Sequence, residues 1–183
     1  MPLKVINFVL FQLGWMACVW GGGHALPWLG MACTLPILYW HLRQALLPGQ
    51  EIKLLTLAVI IGGLCDQTML TFNLVSYPES AWPGGFLPAW MLCLWLLFAS
   101  TLNVSLRWLR ASVPLAAVFG LIGGPLAYLA ASRLGAITIS PGYVSWLVLA
   151  ISWACLTPLL LWLAARFDGY APASHPQQGW SHV

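Results

Sequence analysis

The chain has 183 residues, 61% of them hydrophobic and 6% charged, with a mean hydropathy of +0.85, whereas a soluble domain carries about a quarter of its residues charged. A water-soluble fold has no means of hiding that much apolar surface, so the composition excludes one and predicts a chain embedded in a membrane. The net charge of +3 sets seven scattered basic residues against four acids; the basic residues make no clustered face, and nucleic acid is excluded as a partner.

A spanning helix needs about 20 mostly apolar residues. Six stretches meet or approach that length: Leu3–Trp20, Ala25–Trp40, Leu54–Leu74, Phe86–Leu106, Ala111–Ala131 and Val144–Ala165. They predict an all-α fold, a polytopic six-helix transmembrane bundle over residues 1–167, followed by a disordered cytoplasmic tail at 168–183. The first stretch, with Lys4 ahead of a short apolar run, imitates a signal peptide, and Trp15-Met16-Ala17-Cys18 imitates a lipoprotein cleavage box. Bulky Trp15 and the immediate return of hydrophobic sequence favour an uncleaved helix instead. The second stretch is the shortest, and Pro27 and Pro36 predict a kink or a locally thinned bilayer around it.

Gly21–Gly23, Pro48-Gly49, Pro83–Gly85 and Pro141-Gly142 mark the turns between spans. In the connection at 74–85, Tyr77 and Trp82 have the character of interfacial anchors, as do Trp20, Trp28, Trp40 and Trp108 near helix ends. The tail holds Pro172 and Pro176 and lacks apolar periodicity, which predicts disorder. His175 and His182 within it are expected to face solvent. The five cysteines fall inside apolar runs without a Cys-x-x-Cys pair or a histidine at ligand spacing, so neither metal nor cofactor is expected.

Basic residues set the orientation. In a six-span chain Lys4, Arg43, Lys53, Arg107, Arg110 and Arg166 share one side and Arg133 stands alone on the other. The positive-inside rule then places both termini in the cytoplasm.

The third span holds Asp66, the one acid or base well inside a hydrophobic stretch. A carboxylate at mid-membrane is disfavoured by about 2.5–3.5 kcal/mol on insertion scales, so it faces protein, water or a partner. Counting at 1.5 Å per residue from Leu54 puts it roughly 18 Å in, nearer the outer surface. Gly62 and Gly63 lie one turn below Asp66 and let a neighbouring helix approach, while Asn73 lies above it. At similar depth Gln12, Trp15, Tyr128 and Ser152 are candidate partners, and Arg133 reaches inward by snorkelling. A purely structural tie between helices and a ligand-binding polar pocket are equally consistent with this pattern.

Two further groups stand out. Ala116, Gly120 and Gly124, spaced by four, predict a tight helix crossing beside the kink expected at Pro125. Ser100, Asn103 and Arg107 share a face near the cytoplasmic mouth and, with Asn7, predict a second polar cluster, most of it explained by capping and interhelical bonds. No nucleophile–base–acid arrangement and no phosphate-cradling glycine loop is present.

The segments Asn7–Cys18, Leu96–Leu109 and Gly123–Ala136 resemble an uncharacterised bacterial inner-membrane family known only as a domain of unknown function, over nearly the whole chain to about Arg166. That resemblance implies no catalytic residues. Its members' frequent proximity to genes for cyclopropane-type fatty-acid synthases implies a connection to membrane lipid or envelope stress.

The leading expectation is a binding or accessory protein of the bacterial inner membrane. It would hold a lipid-like or small amphipathic ligand, or a partner protein, near Asp66; membrane lipid is the expected surrounding, and a homo-oligomer or a membrane partner fits the apolar helix faces. Alternatives are a transport component, either a vitamin-capturing subunit or half of a dimeric carrier, and an intramembrane lipid-modifying enzyme with Asp66 as general acid. A non-catalytic role is favoured because no reacting group accompanies the acid.

Overall fold

A computed structural model describes residues 2–78 and 85–171. Six α-helices form a bundle: α1 (Leu3–Gly23), α2 (Pro27–Gln44), α3 (Pro48–Thr71), α4 (Ala89–Leu102), α5 (Val113–Arg133) and α6 (Tyr143–Arg166). Helices α1, α3, α5 and α6 are long and apolar enough to cross a membrane, which marks the chain as a membrane protein.

Helix boundaries depart from the expected spans for identifiable reasons. Helix α3 begins at Pro48, not Leu54, because proline suits a first helical position where its missing N–H has no partner to lose. The earlier start carries Glu51 into the first turn. Helix α4 covers Ala89–Leu102, where one span from Phe86 to Leu106 was expected. The hydroxyls of Ser100 and Thr101 bond the carbonyls of Leu97 and Phe98 three residues back, offering the backbone an alternative to continued helix. A short 3₁₀ helix, Arg107–Ala111, then turns the chain into α5. There Ser112 caps the new helix by accepting from the Leu115 amide.

At 14 residues α4 is about 21 Å long, short of the roughly 30 Å hydrocarbon layer. It has no need to span, because α1, α2, α3 and α6 pack around it and ten of its residues are buried. The hydrophobic core is thus built on a central helix shielded from the surroundings, while the outer faces of its neighbours present exposed Leu, Val, Ile and Phe.

The two ends of the bundle differ. Lys4, Arg43, Lys53, Arg107, Arg110 and Arg166 lie at the end where α1 starts and α6 finishes, hereafter the basic end. At the opposite end a two-residue antiparallel ladder, β1 (Val75–Ser76) with β2 (Thr138–Ile139), ties the α3–α4 connection to the α5–α6 connection, with Val75 opposite Ile139. Trp82 lies outside the described residues, as do His175, His182 and the rest of 172–183.

The expected small-residue crossing joins α5 to α6. A Cβ on Gly120 would overlap the Trp153 carbonyl, and one on Gly124 would overlap the Trp153 ring, while Ala116 of the same row is buried. Gly120→Val is therefore expected to destabilise the protein by about 1–3 kcal/mol, read as an earlier transition in detergent-induced unfolding. Gly123→Ala should leave that transition in place, since its added Cβ meets nothing closer than Phe119 Cε1 at 3.9 Å.

Candidate functional site

Asp66 is buried on α3, five residues before the helix ends. Its Oδ2 accepts a 2.7 Å hydrogen bond from Trp95 Nε1 on α4, and its Oδ1 accepts one from the Tyr128 hydroxyl on α5. Gly62, one turn below, makes this possible: a Cβ there would overlap the Trp95 ring, so only a bare backbone lets the indole lie against α3 and aim its N–H at the carboxylate. Gly63 receives Leu92 in the same manner, at 3.1 Å from a would-be Cβ. Trp95 then stacks on Trp153 of α6 with ring centroids 5.1 Å apart, and Phe98 meets both rings edge-on. One carboxylate thereby links α3, α4 and α5, and the aromatic cluster extends the link to α6.

Beside this cluster lies a cleft of about 400 Å³, walled by α1 and α5 and floored by α4. Trp15, Trp90, Trp95 and Trp153 give it an aromatic lining, with Tyr128 and Gln12 among its polar side chains. The Thr157 side chain on α6 also lines it; that residue is completely buried, and its hydroxyl finds no hydrogen-bond partner among the described residues. Asp66 does not line the cleft. It stands behind Trp95 and Tyr128 and holds those two walls in place.

The sequence-derived candidates separate accordingly. Tyr128 joins Asp66 directly; Gln12 and Trp15 face the cleft. Ser152 lies beside Cys65 on α3. Asn73 sits past the end of α3 in a left-handed turn (φ 55°), exposed, its carbonyl accepting from the Ser140 hydroxyl. Arg133 is exposed at the end of α5 and makes no bond to Asp66. The second polar cluster also divides. Asn7 donates to the Ser100 carbonyl at 3.1 Å and accepts from Ser105 at 2.7 Å, whereas Asn103 and Arg107 turn to a different group.

That group, at the basic end, was not anticipated from sequence. Glu51 is completely buried: its Oε2 lies 2.8 Å from His41 Nε2, and its Oε1 accepts from Asn103 Nδ2 and from the Gly169 amide. The Tyr170 hydroxyl donates to the His41 carbonyl at 2.7 Å, so its oxygen is left to accept from His41 Nδ1 at 3.0 Å. Burial, reinforced by the nearby Glu51 charge, pushes the Tyr170 phenol above the usual tyrosine range, which keeps it a donor. Asp168 completes the cap by accepting from Arg107 and Arg110 and from the amides of Tyr170 and Ala171.

Residues 168–171, expected to begin a disordered tail, are therefore fixed to the bundle by these bonds. The available signal was Pro48-Gly49-Gln50-Glu51, a proline with an acid in the first helical turn. No group of three or more His, Cys, Asp or Glu suited to a metal ion occurs among the described residues.

Removing a carboxylate from either node leaves buried donors without an acceptor. Glu51→Ala is expected to cost about 3 kcal/mol or more, since the Gly169 amide, Asn103 Nδ2 and His41 Nε2 lose a buried partner together, at about 1–3 kcal/mol each. Asp66→Asn, which still offers one acceptor, is expected to cost about 1–3 kcal/mol. Detergent-induced unfolding followed by tryptophan fluorescence measures both, and equal midpoints for wild type and Glu51→Ala would refute the cap as a stabilising element.

No curated protein and no solved structure matches the chain. Residues 4–159 match the family described as "Protein of unknown function (DUF2878)", a stretch running from α1 through the Trp153–Thr157 wall of the cleft, and the chain is a member of that family.

Proposed function

We propose that this is a multi-pass protein of the bacterial inner membrane, both termini cytoplasmic, that binds a lipid-like amphipath in the α1–α4–α5 cleft. The orientation is supported by the gathering of six of the seven basic residues at one end of the bundle. The observation that carries the binding role is the recess itself, about 400 Å³ between α1, α4 and α5 with Trp15, Trp90, Trp95 and Trp153 in its lining.

Both Asp66 oxygens already accept hydrogen bonds from cleft-wall side chains. This favours Asp66 as the residue that positions Trp95 and Tyr128 over a role in proton-coupled transport or acid catalysis. The recess has the apolar lining and few convergent polar groups typical of small-molecule sites.

Mass spectrometry of the protein purified in a mild non-ionic detergent tests the proposal. One amphipathic species is expected to be enriched over the bulk membrane extract. Gly123→Trp, whose side chain has open space toward the cleft, is expected to displace it. A lipid complement matching the bulk extract in both proteins would overturn the reading.

A further inference from the structure

We infer that the ligand is an amphipath with an anionic head, seated with the head at the basic end and its apolar part running toward the opposite end. This rests on the cleft being a ligand site and adds the ligand's charge and direction.

The direction follows from the polarity of the two ends of the cleft. Toward the opposite end its walls are Trp90, Met91, Ala131 and Ile137, all buried and apolar, and the Tyr128 hydroxyl there is committed to Asp66. That end offers a ligand no free polar group. The lining is exposed along its length, at Phe8, Phe119 and Leu126, so a molecule enters sideways from the lipid with its apolar part toward the opposite end and its polar part at the basic end.

Charge at that mouth is positive. On α1, Lys4, Phe8, Phe11 and Trp15 follow at intervals of four, three and four, a single helical stripe, and the last three line the cleft. Lys4 thus stands one turn beyond Phe8 on the lining face, exposed, and no ion pair engages it among the described residues. The acids of this end are occupied elsewhere, Glu51 by His41 and Asp168 by Arg107 and Arg110. Helix α5 also begins at this end, adding the positive pole of its dipole.

The test uses tryptophan fluorescence of the full chain in a non-ionic detergent, titrated with lysophosphatidylglycerol or lysophosphatidylcholine carrying the same brominated chain. A brominated fatty acid forms a third arm that separates a carboxylate head from a phosphate head. Quenching is counted as cleft-specific where Gly123→Trp abolishes it. Anionic ligands are expected to quench at roughly fivefold lower concentration than the zwitterionic one, with Lys4→Gln removing that preference and Lys4→Arg retaining it. Equal cleft-specific quenching by all heads, unaffected by Lys4→Gln, overturns the inference while the cleft remains a binding site. No cleft-specific quenching by any of them overturns both.

Discussion

A carboxylate in an apolar interior must be given hydrogen-bond donors by the protein itself, and the way Asp66 obtains them organises the bundle. Its two oxygens are supplied from two different helices, by Trp95 of α4 and Tyr128 of α5. Removing Asp66 from water has a cost that only well-aimed donors offset, so the side chains that reach it are held to one geometry. Trp95 attains that geometry because Gly62 has no side chain, and once there its ring becomes the platform on which Trp153 and Phe98 stack. Trp153 in turn fills the space left open by Gly120 and Gly124. A chain of contacts beginning at one acid thus sets the positions of α3, α4, α5 and α6 relative to one another.

The brevity of α4 has two consequences. Because it is surrounded by other helices, it ends where protein partners for Asn103 and Ser105 begin and not where a lipid interface would dictate. The space beyond its last turn is then closed by a polar cap in which the α2–α3 turn, the end of α4 and residues 167–171 meet around Glu51. Gly169 belongs to this cap for steric reasons as well: a Cβ there would stand 2.6 Å from Glu51 Cγ and 2.7 Å from the Leu47 carbonyl, so no larger residue allows the chain so close to the acid. Along its length, α4 also forms the floor of the cleft between α1 and α5. The same helix is at once the most buried element and the base of the candidate ligand site.

Two acids therefore play different parts. Glu51 closes the basic end and joins segments far apart in sequence, while Asp66 stiffens two walls of the cleft without entering it. Aromatic walls fixed in this way lose little further freedom when a molecule contacts them.

Hydropathy and the spacing of small and polar residues were sufficient to determine the all-helical membrane class, the inward-facing Asp66 and a close helix crossing at Gly120 and Gly124, since each follows from local periodicity; the choice of Tyr128 from among Gln12, Trp15, Tyr128 and Ser152, the arrival of Trp95 as the second donor and the identity of α6 as the crossing partner came from packing. The separation of Asn103 and Arg107 from Asn7 and Ser100, the outward position of Arg133, the early end of α4 and the cap around Glu51 were settled by tertiary structure alone. These depend on which side chains from distant segments arrive beside a buried polar group, as Gly169 does across 118 residues to Glu51. A window of sequence carries the need of Glu51 for donors; the identity of the donors exists only once the helices have packed.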